Sequence, residues 1–436
     1  MNKKLILWTI TVGLGGFLFG LDVAVISGAE QAIQKLWDLS DLMHGTAIAM
    51  ALYGTILGAA FGNIPANKFG RKKTLIWIGI IFLVSSIGAA VAQDVYTFMA
   101  FRLLGGISIG ASSVVAPVYI SEIAPAKHRG KMVIAFQLNI VTGILLAYVS
   151  NYLFRGMGGE NDWRWMLGIV AIPSLIFSVL MFFTPETPRW LLLFKKDEDG
   201  ARKVLELTET NIDATVNSIK NSVSIKKESL FSGKFGKLLL LAFLLAFFNQ
   251  LSGINAIIYF APRVFEMAGL GKDSAFLSTA GIGIVNLAFT ILGWYLIDRF
   301  GRRTLMFIGS IGYIVSLALI AFSFTGDSHG GITIFVFMFI AAHAIGQGAV
   351  IWVFLSEIFP NSIRAAGTSF GCLIHWLFAA IISQIFPLVA ASPAIGPVKI
   401  FGFFAFMMVL QLLFVWKMMP ETKGIALENM EGSIIH

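Results

Sequence analysis

The chain has 436 residues, 57% hydrophobic and 13% charged, with a mean hydropathy of +0.82. A soluble domain carries about 25% charged residues, so this composition excludes a soluble globular enzyme and indicates an integral membrane protein. The formal net charge is +8, and the single cysteine, Cys372, excludes an intramolecular disulfide and argues against a cysteine-based metal site.

The first apolar run follows Lys3 and Lys4. It exceeds the roughly 7–15-residue core of a secretory leader and many similar runs follow, so it reads as a first span. Stretches able to cross a hydrocarbon core of roughly 30 Å fall near 5–28, 45–66, 74–92, 96–121, 132–154, 165–184, 238–261, 275–297, 304–324, 332–356, 365–390 and 398–419. The loop 65–73 holds Lys68, Arg71, Lys72 and Lys73 with no acid, 298–303 holds Arg299, Arg302 and Arg303 against Asp298, and 30–44 is net acidic. The positive-inside rule then places both termini in the cytoplasm. The basic balance therefore reports membrane orientation, and no nucleic-acid partner is expected. Short outer loops and the absence of an Asn-x-Ser/Thr sequon favour a bacterial inner membrane over a eukaryotic surface.

One long polar segment, 185–236, separates a six-span half at 1–184 from a second at 237–420, with 421–436 as a short cytosolic tail. Its leucines recur at helical spacing, which predicts short amphipathic cytosolic helices; a flexible solvated linker is the alternative. The halves repeat each other. SEIAPAKHRG at 121–130 returns as SEIFPNSIRA at 356–365, and PETPR at 185–189 as PETKG at 420–424, both displaced by 235 residues. NKFGRKKTL at 67–75 returns as DRFGRRTL at 298–305, displaced by 231. Three cognate loops in matching order imply a duplicated unit. The fold expected is an all-α membrane protein of twelve transmembrane helices in two pseudo-symmetric six-helix bundles, the architecture of alternating-access carriers.

Together with QLSGINA at 250–256, these loops resemble the sugar porter branch of the major facilitator superfamily over essentially the whole chain. The resemblance implies the major facilitator fold, a monosaccharide substrate, transport by alternating access and no cofactor. It also implies an intracellular gate in which Arg71, Arg129, Arg302 and Arg364 meet Glu122, Glu186 and Glu357, with Asp298 beside them, bridging the halves when the carrier opens outward. Guanidinium and carboxylate suit such bidentate pairing; anchoring the loops within each half is the plainer role. Asn67 and Lys68 depart from the family's Asp-Arg, which weakens the N-terminal latch relative to Asp298 and Arg299. No metal cluster, nucleophile elbow or phosphate loop supports an enzyme, and no obligate protein partner is implied.

Asp22 is the lone acid in GGFLFGLDVAVISG, 15–28. With the span ending near Gly28, it lies roughly 9 Å inside the membrane at about 1.5 Å per residue, and Arg102 lies at the same depth in the fourth span. An isolated intramembrane charge costs about 2.5–3.5 kcal/mol, so the two are expected to pair or to line a wet cavity. Asp22 is the candidate proton carrier, and the resemblance agrees, because proton-coupled sugar porters carry an Asp here. If conformation loosens its contact with Arg102, its proton affinity changes; each pKa unit is about 1.36 kcal/mol of coupling, returned reciprocally on sugar affinity. A fixed ion pair that only packs two helices is the alternative.

Gln250 and Asn255 stand about 140° apart on an ideal helix and converge only if Ser252-Gly253 breaks it. Asn286 and His343 lie about 16 Å from one membrane face, and Gln250 and His375 a similar distance from the other. Trp352 and Trp376 add aromatic faces for the apolar side of a sugar ring, and amides and imidazoles suit hydroxyls, which both give and accept hydrogen bonds. The resemblance implies hexose contacts at Gln137, Gln250, Asn255, Asn286 and Trp352; Asn249 replaces the first Gln of the usual pair, and Gln347 completes the candidate set. Each amide could instead bond helix to helix. Animal fructose facilitators resemble this chain in carrying His at the positions of both His343 and His375, which points to fructose among the hexoses. A facilitative uniporter of the same fold and, more distantly, a sugar sensor are the rival functions.

Overall fold

The computed structural model describes residues 3–125, 129–208, 211–221, 229–325, 331–360 and 362–423. Twelve helical stretches among them are long and apolar enough to cross a membrane. In chain order the helices used below are α1 (Lys3–Leu36), α2 (Asp41–Phe61), α3 (Arg71–Val91), α4 (Val95–Ile123), α5 (Arg129–Phe154), α6 (Asp162–Gly168) and α7 (Ala171–Phe182). Then follow α8 (Glu198–Thr208), α9 (Ile212–Asn221), α10 (Gly236–Leu251), α11 (Ile254–Met267), α12 (Lys272–Phe300) and α13 (Arg302–Ser323). The last are α14 (Ile332–Ile345), α15 (Gln347–Glu357), α16 (Arg364–Ala390) and α17 (Gly396–Lys417). The expected tail falls beyond residue 423 for most of its length, outside the described residues.

The first span is longer than hydropathy predicts. A loop is expected over 30–44, but α1 runs to Leu36 and α2 begins at Asp41. Glu30 and His44, which suggest a loop when read singly, are both fully buried. Arg263 of α11 neutralises Glu30, and the helices continue through charges that have a partner.

Contacts divide the chain into two compact units. One comprises Met1–Val25, Met50–Ala147 and Gly156–Ile225; the other comprises Ile26–Ala49, Tyr148–Arg155 and Lys226–His436. Three helices, α1, α2 and α5, therefore contribute to both. In the first unit α2 and α4 approach backbone to backbone: a Cβ on Gly106 would lie 1.9 Å from the Ala51 carbonyl, and one on Gly58 2.1 Å from that of Ile107. Only glycine permits this closeness, which seats α4 and its Arg102 deep in the unit. Asp94 caps α4, accepting from the Tyr96 and Thr97 amides at 3.0 Å each. Hydrogen bonds from Thr97 and Tyr96 hold its carboxyl below the usual range.

The polar segment folds onto the same unit. Helices α8 and α9 bury Ala201, Val204, Leu205 and Val216 against Leu191 and Leu192. Glu198 binds Lys220 at 2.7 Å and Arg202 binds Asp213 at 2.7 Å, tying the two helices along their wet edge.

Candidate functional site

In the first unit Arg102 Nη1 donates to Asp22 Oδ1 at 2.9 Å, and both side chains are buried. Arg102 Nη2 lies 3.4 Å from the Asp22 carbonyl oxygen. Asp22 Oδ2 is buried with no hydrogen-bond partner. It looks toward Gly105, where an added Cβ would stand 3.8 Å away. One carboxylate oxygen is thus spent on the guanidinium while the other is bare.

The second unit carries the amides and imidazoles. The seventh span breaks at Ser252-Gly253, with Gly253 at φ +81°, a conformation that suits glycine. The break swings Asn255 back so that its Nδ2 donates to Gln250 Oε1 at 2.7 Å. Gln250 Nε2 donates to Asn249 Oδ1 at 2.9 Å and approaches the His375 ring nitrogens at 3.1 and 3.2 Å. His375 sits between Trp352 and Trp376, with ring centroids 4.9 and 4.8 Å away. Asn249, Gln250, Asn255, His375, Trp352 and Trp376 thus form one cluster.

His343 and Gln347 belong to a neighbouring group, joined by Tyr313. Asn286 is engaged within its own helix, accepting from Thr290 Oγ1 at 3.4 Å. Gln137 is half-buried on α5 in the other unit.

The repeated loops form two matching clusters, one in each unit. In the first, Arg71 Nη2 and Nε each lie 3.1 Å from Glu122, and Thr187 Oγ1 donates to Glu122 Oε2 at 2.6 Å. Glu186 accepts from the backbone amides of Arg71, Lys72 and Thr187 at 2.9–3.1 Å. In the second, Arg302 grips Glu357 in a fork at 2.8 and 3.1 Å, and Thr422 Oγ1 donates to Glu357 at 2.6 Å. Glu421 accepts from the amides of Arg302, Arg303, Thr422 and Lys423 at 2.9–3.0 Å. Each cradle holds a carboxylate at the start of a helix, α3 or α13, where exposed N–H groups favour negative charge.

Burial pushes the Glu186 carboxyl above its ordinary value, against the downward pull of those amides and of Arg71. Both ion pairs close inside their own unit, although resemblance has these residues bridging the halves. Asp298 supports Arg302 from one turn away at 3.2 Å. Arg364 Nε donates to the Phe359 carbonyl at 3.0 Å. Arg129 opens α5, but its side chain lies outside the described residues.

Two features escape sequence reasoning. Glu421 repeats the role of Glu186, a twinning already visible in the PET repeat. Glu30, His44 and Arg263 form a buried polar knot in the second unit: Arg263 forks onto Glu30 at 2.9 and 2.6 Å, and His44 Nε2 is 2.7 Å from Glu30. Gln34 extends it, accepting from Arg263 Nη2 at 2.6 Å and donating to Asp41 at 3.0 Å.

Residues 8–433 match the family model described as sugar (and other) transporter. The arabinose-proton symporter of Bacillus subtilis is 35% identical over 438 residues, covering 98% of this chain and 94% of that protein. The glucose transporter GlcP of Staphylococcus epidermidis is 36% identical over 439 residues, covering 99% and 97%. Among solved structures, the inward-open conformation of the Escherichia coli xylose transporter XylE is similar with a TM-score of 0.87 at 32% identity, covering 99% of this chain and all of that one.

Proposed function

Because this chain belongs to the sugar transporter family of the major facilitator superfamily, we propose that it is a proton-coupled monosaccharide symporter working by alternating access. The observation that carries the reading is the buried Asp22–Arg102 pair with Asp22 Oδ2 left bare. Protonation at that oxygen cancels the carboxylate charge, weakens its hold on Arg102 and lets the helices bearing them, α1 and α4, shift. Ionisation restores the pair. A proton therefore favours one arrangement of the helices, and sugar binding to that arrangement raises proton affinity in return. The arabinose-proton symporter among the relatives supports such coupling here.

The substrate binds at the Gln250 cluster, with Asn286 of the same unit as a further contact. This cluster holds three amides, one imidazole and two indoles and, among the described residues, no carboxylate, lysine or arginine, which suits a neutral polyol. His343 and His375, which the chain shares with animal fructose facilitators, favour fructose over the arabinose, glucose and xylose named for the relatives. The carrier lies in a bacterial plasma membrane with both termini in the cytoplasm, so the Glu186 and Glu421 cradles face the cytosol.

Proteoliposomes with an inward-directed proton gradient test the coupling. Asp22→Asn is expected to abolish accumulation while keeping sugar counterflow. Accumulation equal to that of the wild type would show that Asp22 does not carry the coupling proton. Competition of labelled fructose by arabinose, glucose and xylose tests the substrate: a weaker inhibition by fructose itself than by any of the three rejects the preference.

A further inference from the structure

Four polar side chains of the second unit, Ser310, Tyr313, Gln347 and Gln411, are fully buried within helices long and apolar enough to cross a membrane. They form a hydrogen-bonded line that ends on His343, and its direction follows from proton counting. Ser310 Oγ donates its only proton to the Met306 carbonyl at 2.7 Å. Gln411 Nε2 can then donate to Ser310 Oγ at 2.8 Å, and Gln411 Oε1 accepts from Gln347 Nε2.

With its amide nitrogen facing Gln411, Gln347 presents Oε1 to the Tyr313 hydroxyl at 3.3 Å, and Tyr313 donates to it. The phenol oxygen has no second proton, so toward His343 Nδ1 it accepts. Ser252 also lies near Tyr313, but its hydroxyl donates to the Asn249 carbonyl at 2.6 Å. Reversing the line would require Ser310 to abandon Met306. Reversing one member alone would set two acceptors or two donors face to face in a dry site, at a cost of about 1–3 kcal/mol.

We propose that Ser310, Gln411, Gln347 and Tyr313 are positioning residues that hold His343 as its Nδ1–H tautomer, so that its bare Nε2 accepts a hydrogen bond from a sugar hydroxyl. Gly348 stands against this edge of the ring: a Cβ there would lie 3.2 Å from Nε2, and its absence leaves that nitrogen uncovered by a side chain at this position. The inference rests on the reading of His343 as a sugar contact. It adds a specificity rule: the hydroxyl at that position must donate, so fluorine, which only accepts, is rejected there as strongly as hydrogen. A tautomer set by the hydrogen bond on the other ring nitrogen is a general property of imidazole.

The test is nitrogen NMR of the whole transporter labelled at histidine, with His343 assigned from the His343→Gln spectrum. The wild type is expected to show protonated Nδ1 and bare Nε2; protonated Nε2 would overturn the proposal, because the line would then run the other way. Tyr313→Phe, close to isosteric, is expected to convert His343 to a mixture of tautomers; a spectrum still showing only Nδ1–H would remove Tyr313 from the positioning role.

Uptake in the presence of monodeoxy and monofluoro analogues of glucose and fructose gives the functional readout. At one hydroxyl position both analogues should compete about tenfold less well than the parent, as expected for loss of one hydrogen bond. In Tyr313→Phe the fluoro analogue should regain ground over the deoxy one with little change in maximal rate. Equal competition by the fluoro analogue and the parent sugar at every position overturns the specificity rule. An unaltered sugar preference in His343→Gln overturns instead the reading of His343 as a sugar contact, an outcome separate from the tautomer.

Discussion

Arg263→Met is expected to be among the most costly single changes in the second unit. Arg263 Nε and Nη2 hold the two oxygens of Glu30 at 2.9 and 2.6 Å, and Glu30 has no exposed surface. Methionine removes the guanidinium and leaves the carboxylate with His44 alone. Removing one member of a buried ion pair costs about 3–5 kcal/mol, chiefly through the orphaned charge. The Arg263 side chain keeps 19% of its surface, so the lower end, about 3 kcal/mol, is expected. Removing the carboxylate as well cancels that penalty: in Glu30→Gln combined with Arg263→Met no charge is stranded, and stability should return to within about 1 kcal/mol of the wild type by the same reasoning. The assay is a double-mutant cycle on the purified carrier in detergent, read by thermal and denaturant unfolding. A coupling of at least about 2 kcal/mol is expected, since residues in direct contact do not behave additively. Additive single changes, or a cost for Arg263→Met within the error of the measurement, would refute the claim that this pair lets α1 and α2 carry buried charge.

Gly301→Ala should destabilise the second loop cluster: at φ +88° an L side chain is strained by about 1–2 kcal/mol, and its Cβ would stand 2.4 Å from Glu421 Oε2. Gly402→Ala, where the new methyl meets open space, is the matched control, and equal melting temperatures for the two would contradict the cradle. The α8–α9 pair should loosen in acid. Hydrogen bonds from Lys220 and Arg202 lower the Glu198 carboxyl from 4.5, so the unfolded pair binds more protons than the docked one. Its contribution is complete above the unfolded value and lost as pH falls through the lowered one. Hydrogen exchange over residues 190–221 should accelerate in that acid range, and Glu198→Gln should flatten the dependence; a pH-independent exchange pattern in the wild type would remove these bonds from the stability of the pair.

The spans, the duplication and the Asp22–Arg102 pairing were legible because each rests on information local to a stretch of sequence: an apolar run, a repeated loop, or a depth counted along each of two helices. The break that brings Gln250 to Asn255 was legible for the same reason, since Ser252-Gly253 and the five-residue spacing sit in a single stretch. Glu421 was hidden differently. Its carboxylate is held by four backbone amides, and amides carry no sequence signal; only the repeat of PET across the halves betrays it. Tyr313 and Gln411 read as isolated polar residues in greasy helices, and nothing local joins them to Gln347 or to one another, because their bonds cross helix boundaries.

Glu30 exposes the physical limit most directly. Hydropathy scores each residue as though it stood alone, so a span appears to stop at its first charge. The energy that decides the matter belongs to a pair, and here the second member lies 233 positions away. Once Arg263 is packed against Glu30, the helix has no reason to end there. An apparent helix end at a buried carboxylate is therefore better read as an address for a distant cation than as a boundary.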